Sequence, residues 1–212
     1  QGLSFLARRG RALALSAGAL ACLTLAPALA QRFEELDKHA NRVFPDYGRA
    51  LLAVPEEPAL LFTFGDNAAL ILAYLQIVER ERPDVVVVAA GLLRFPWYRE
   101  QLRAQHAELV VDDSANAVVA LARANSAHFR LYHAHPEPQG FAGFAEVPTG
   151  VLMRIVPQGE ALTPLVPPTP EFTPDWAPLD QRERSVRADV AMAYARTADF
   201  WRARGDVQTA LA

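Results

Sequence analysis

The sequence has a single cysteine, Cys22, and it lies inside an apolar run. No intrachain disulfide can form, and a small thiol among apolar neighbours reads as packing rather than as a nucleophile. The loops that cradle phosphates are missing too. No Gly-x-Gly-x-x-Gly follows a strand-like run and no Gly-x-x-x-x-Gly-Lys-Ser/Thr occurs, so neither dinucleotide nor nucleotide triphosphate binding is indicated, and no cofactor is expected. Ser114 and Ser126 lack a histidine and an acid at suitable positions, which removes the hydrolase triad. Net charge is also small, at −3. Because Arg8, Arg9 and Arg11 are the only charged side chains before Arg32, the rest of the chain carries about −6, and nucleic acid is not an expected partner.

What is present is organised around residues 60–93. Leu60-Leu61-Phe62-Thr63-Phe64 is a continuous apolar run, as in a strand buried on both faces, and Val85 to Ala90 repeats the pattern with β-branched residues. Between them Ala68 to Glu81 predicts a helix with an apolar stripe of Leu70, Leu72, Leu75 and Val78. Two parallel strands need such a crossover, so the unit is a right-handed βαβ. Ligands of doubly wound sheets sit beyond the carboxyl ends of the strands, which points to Gly65-Asp66-Asn67 and to Gly91 to Tyr98. The preferred reading of Asp66 or Asn67 at this turn is a cap on the helix that follows.

Before this unit, Ala12 to Ala30 runs for 19 residues without a charge, between Arg8-Arg9-Gly10-Arg11 and Gln31-Arg32. At about 1.5 Å per residue it spans roughly 28 Å, enough for a hydrocarbon core. Three readings fit: a transmembrane helix, a secretory signal peptide ending at Ala28-Leu29-Ala30, or a core helix. The first is preferred, because a chain opening on Gln1 with Gly2-Leu3-Ser4-Phe5-Leu6 reads as a fragment of a longer protein. The arginines then stay inside and residues 31–212 lie outside.

After the unit, Pro96 suits the first turn of a helix reaching Arg103. Asp112-Asp113-Ser114 reads as a cap before a helix over Ala115 to Ala124, Phe129 to His133 as a third strand, and Val151 to Val156 as a fourth. Prolines at Pro157, Pro164, Pro167, Pro168, Pro170, Pro174 and Pro178 make residues 157–178 a semi-rigid linker. Leu179 to Arg204 is helical in pattern. Tyr194, Ala198, Trp201, Gly205, Asp206 and Ala210 fall at the spacing of a tetratricopeptide repeat, which needs further repeats to bury its face. The expected fold is therefore α/β: a transmembrane helix and basic flank (1–30), a small three-layer Rossmann-like domain with a mostly parallel sheet of about four strands (31–156), the linker, then a C-terminal helical hairpin (179–212).

The order of an apolar span, Tyr47-Gly48, Leu61-Phe62-Thr63-Phe64-Gly65-Asp66-Asn67, Tyr74-Leu75-Gln76, Arg82-Pro83-Asp84-Val85 and Trp97-Tyr98 resembles the C-terminal part of bacterial protein O-mannosyltransferase-like membrane proteins. Those belong to the GT-C glycosyltransferase superfamily and often end in tetratricopeptide repeats. The resemblance covers roughly Ala12 to Tyr98. It implies sugar transfer from a polyprenyl-phosphate donor at the outer side of a bacterial inner membrane, with the catalytic acid in an early loop that has no counterpart here. No catalytic residue is carried over. Relatives have polar residues after Gly-Asp-Asn, where this chain has Ala68-Ala69-Leu70.

Three functions follow. The preferred one is a non-catalytic periplasmic domain of a glycosyltransferase, regulatory or acceptor-binding, with Asp66, Asn67, Arg94, Trp97 and Tyr98 as its ligand-binding cleft. The others are a single-span interaction protein presenting helical repeats to other proteins, and a secreted α/β enzyme with a cleaved leader. Expected partners are the bilayer through residues 12–30 and a polyprenyl-phosphate sugar or a protein acceptor. His133 and His135, with His128 and Glu137, are the nearest approach to a zinc set, but no further ligand is suitably spaced.

Overall fold

The computed structural model describes residues 41–113, 117–134, 140–160 and 180–205, together with residues 16, 20, 23–27, 29, 30 and 33. Two units are separated at Asn41. In the first, residues 23–27 are helical and Leu20, Leu23, Leu25, Leu29 and Phe33 are exposed. Among the described residues no helix is long and apolar enough to cross a membrane, and most of the expected span over 12–30 lies outside them. Most of the Pro-rich stretch and the expected second helix of the hairpin also lie outside.

The second unit runs α1 (Val43–Ala53), β1 (Ala59–Thr63), α2 (Asp66–Ile77), β2 (Val85–Ala89), a 3-10 turn, α3 (Pro96–Gln105), α4 (Ala117–Asn125), β3 (Arg130–His133), β4 (Phe144–Thr149), β5 (Leu152–Pro157) and α5 (Gln181–Ala203). The sheet order is β2-β1-β3-β5-β4. β1 pairs parallel with β2 and with β3, whereas β5 pairs antiparallel with both β3 and β4. The expected βαβ unit is there, but the sheet is mixed and has five strands rather than a mostly parallel four. The missing strand, β4, carries Pro148 and Glu146 and reads poorly as a strand. It is the edge of the sheet, where a proline costs no central ladder bond. Only Gly150 and Val151 separate it from β5, and so short a link makes a hairpin, with Gly150 at φ 66°.

Alternate residues of the sheet feed two cores. Leu61, Val85, Tyr132 and Leu152 pack with Tyr47 and Leu51 of α1, Leu72 and Leu75 of α2, and Val186 and Val190 of α5. Leu60, Phe62, Val86, Val88, Leu131 and Ile155 pack with Tyr98 and Leu102 of α3 and Leu121 of α4. The helix after the Pro-rich stretch thus shares the core of the α/β domain. Its start is fixed by a capping box, Asp180 accepting from the backbone of Arg182 and Glu183 while the Glu183 side chain accepts from the Asp180 N–H. Gly48 lets α1 and α2 approach closely, since a Cβ there would stand 2.6 Å from Leu75 Cδ1 and 2.9 Å from Ile71 Cγ1.

The stripe expected on α2 is corrected in part. Ala68, Leu72 and Leu75 are buried, but Leu70, Tyr74, Ile77 and Val78 are exposed. At about 100° per residue, Leu70 points some 200° away from Leu72, so a helix apolar all round cannot bury both in one core.

Candidate functional site

The chain turns at the carboxyl end of β1 through Gly65, which has φ 94° and is the N-cap of α2. No side chain caps this helix, so the capping role expected of Asp66 or Asn67 is not what they do. Asp66 is exposed in the first turn, where a carboxylate complements the positive end of the helix dipole. Asn67 Nδ2 instead donates to Ser185 Oγ of α5 at 2.8 Å, tying the start of α2 to the first turns of the last described helix.

Together α1, α2 and α5 enclose a groove of about 370 Å³ lined by Phe44, Asp66, Asn67, Leu70, Ile71, Tyr74 and Arg182. This is within the size range of small-molecule sites. Its polar members are under-used. Among the described residues neither the Asp66 carboxylate nor the Arg182 guanidinium has an ion-pair or side-chain hydrogen-bond partner, and the Asn67 Oδ1 keeps its capacity to accept. The Tyr74 hydroxyl donates to Glu79 at 2.8 Å, which raises the tyrosine above its ordinary titration range and orients the ring. Phe44, Tyr74 and Arg182 were not foreseen as site residues. Arg182 lies 115 positions after Asn67, and nothing local to it signals that α5 returns to α2.

At the carboxyl end of β2 the other three expected residues have different surroundings. The Tyr98 hydroxyl accepts the Ala89 N–H at 2.8 Å, closing the end of β2, and burial raises its titration range. Arg94 lies 4.7 Å from the centre of the Phe95 ring, and Phe95 stacks on Trp97 at 6.3 Å. Arg99 donates to the Leu93 carbonyl at 2.6 Å and to Asp113 at 2.8 Å, and these contacts lock the segment onto α3. Asp113, held below the usual carboxylate range by hydrogen bonds from Arg103 and Arg99, is engaged across the loop. Arg94, Trp97 and Tyr98 do not line the groove that holds Asp66 and Asn67. The five expected residues thus form two separate groups.

Strand order also moves the crevice. The helix α2 carries the chain from β1 to β2 on one face of the sheet, and α3 with α4 carry it from β2 past β1 to β3 on the other, so the order reverses between β1 and β3 rather than between β1 and β2. There the fully buried His133 meets Glu146 with Nε2 3.1 Å from Oε2, and Phe141 stacks on the imidazole at 5.4 Å. This hydrogen bond holds the Glu146 carboxyl below its ordinary range. His135 and Glu137 lie outside the described residues, and among the described residues no group of three ligand-type side chains is placed to hold a metal. A second cavity of about 580 Å³ lies at the amino ends of the strands, with Asp84, His106, Glu108 and His128 in its lining.

Arg82, Asp84 and Gln76 are structural. Arg82, at φ 45°, donates to the carbonyls of Leu52 at 2.7 Å and Pro55 at 2.8 Å and pairs with Asp84 at 2.8 Å. Gln76 Nε2 donates to the carbonyls of Arg82 and Val85. Together they join the end of α1 to the start of β2.

The family described as TMEM260-associated domain 2 matches residues 44–117, from α1 to the start of α4. The mouse (Mus musculus) protein named "Protein O-mannosyl-transferase TMEM260" is 29% identical over 115 residues, which cover 53% of this chain and 16% of that protein. The chain therefore aligns with about one sixth of that relative's length. No solved structure matches. These two matches show similarity to part of a protein named as an O-mannosyl-transferase and to a domain described as associated with it.

Proposed function

We propose that the chain is a non-catalytic domain of a membrane-bound O-mannosyltransferase-like glycosyltransferase that uses a lipid-linked sugar donor, and that it serves regulation or acceptor binding. In this reading residues 12–30 tether it to the bilayer and the rest stands on the outer, periplasmic side. The observation that carries the reading is the match over residues 44–117, because those residues build two of the three walls of the groove. The ligand-facing groups are Asp66 and Asn67. Arg94 and Trp97 form a separate aromatic and basic patch at the end of β2, and Tyr98 supports that patch from beneath.

Deleting residues 31–157 from the full-length protein tests it. Transfer to the acceptor falls although the catalytic carboxylate, in an early loop, is retained; unchanged transfer contradicts the proposal. A second reading, an anchored interaction module, is favoured by the exposed apolar face of α2 formed by Leu70, Tyr74, Ile77 and Val78. A complete reading frame with no further spans before Gln1 would support that alternative.

A further inference from the structure

We propose that the groove between α1, α2 and α5 is a saccharide site, taking a neutral hexose-bearing ligand against Phe44 and Tyr74 and sharing its hydroxyls between Asp66, Asn67 and Arg182. The inference deepens the proposed function and rests on it.

Three features of the groove select this class of ligand. The first is charge. One carboxylate and one guanidinium line the same groove, and neither is neutralised by a partner among the described residues. A phosphate or another polyanion would be drawn to Arg182 but repelled by Asp66, whereas an uncharged ligand meets no such conflict. The second is hydrogen-bond type. Asp66 only accepts, Arg182 only donates, and the Asn67 amide keeps its acceptor oxygen and one N–H after donating the other to Ser185. A vicinal diol, each hydroxyl both donor and acceptor, satisfies an acceptor and a donor together, and charge-assisted hydrogen bonds are the stronger ones. The third is the lining. Phe44 and Tyr74 supply aromatic surface to a groove whose remaining walls are Leu70 and Ile71. Sugar rings present C–H faces that pack against aromatic carbon while their edges stay polar, so a mixed groove suits a pyranose better than it suits a lipid chain.

The Asn67 to Ser185 bond gives the site a fixed width, because it holds α5, and with it Arg182, against the start of α2. A residue distant in sequence thereby completes a site begun at the turn after β1.

The test uses the chain as it stands, with methyl α-mannoside as probe and inorganic phosphate as the comparison ligand, read by ligand-observed NMR titration. Millimolar binding of the mannoside is expected. Asp66→Ala and Arg182→Ala each weaken it about tenfold, the loss of one charge-assisted hydrogen bond, and Tyr74→Ala weakens it as well. Trp97→Ala leaves it unchanged. Thermal melts of the variants confirm that each remains folded. Absence of mannoside binding overturns the proposal, as does binding indifferent to Asp66 and Arg182, or phosphate binding in its place. If the 31–157 deletion abolishes transfer while no mannoside binds, the saccharide site falls and the glycosyltransferase reading stands. If mannoside binds here yet the deletion leaves transfer intact, the site stands and that reading falls.

Discussion

The ends of β1 and β2 occupy equivalent places in the sheet, at the carboxyl termini of neighbouring parallel strands, and they are built for opposite purposes. Beyond β2 nearly every polar group is consumed by the fold. The Tyr98 hydroxyl takes the Ala89 N–H, Arg99 takes a carbonyl and a carboxylate, and Arg94 lies over Phe95. Beyond β1 a carboxylate and, across the groove, a guanidinium have no partner among the described residues, and one amide is half used. A buried or engaged polar group reports on stability, while a group left unpaired in a concave site has capacity to spare for a ligand. The lesson is that position in a parallel sheet nominates a site, and hydrogen-bond bookkeeping decides between nominees.

Substitutions separate the two ends, the largest effect falling at the β2 end. Tyr98→Ala removes a buried ring and an acceptor, and is expected to cost about 3–5 kcal/mol in denaturant unfolding, with Tyr98→Phe costing about 1–3 kcal/mol because the Ala89 N–H is orphaned. If Tyr98→Phe were instead neutral in stability and weakened mannoside binding, the division between the ends would be wrong. Next in size, Gly48→Ala forces a methyl to within 2.6 Å of Leu75 and 2.9 Å of Ile71. Overpacking of this kind costs about 1–3 kcal/mol, and it displaces Ile71, which lines the groove, so binding should weaken together with a drop in Tm. An unaltered melting temperature would show that α1 and α2 are not held at this spacing.

Legibility in the sequence followed the same divide between local and distant determinants. Continuous apolar runs, β-branched in the second, flanked by Gly65 and by Arg82-Pro83 announce β1, β2 and α2, because each signal lies within the element it marks. The edge strand β4 was hidden by Pro148 and Glu146, which only the knowledge of an edge position excuses. Asp66 and Asn67 were legible as residues at a strand end, but not their use. Whether Asn67 caps α2 or reaches Ser185 depends on α5 docking through Val186 and Val190, a contact across the Pro-rich stretch that no periodicity encodes. The same holds for Arg182. The outward face of α2 was misjudged because a count of apolar residues does not distinguish one face from two.

The most direct test compares Arg182→Ala with Trp97→Ala in the full-length protein, measuring transfer to a protein acceptor alongside the unfolding midpoint of each variant. The account predicts that Arg182→Ala lowers transfer about tenfold at an unchanged midpoint, while Trp97→Ala leaves both as they were. Equal transfer by the two variants, or a loss confined to Trp97→Ala, would contradict it.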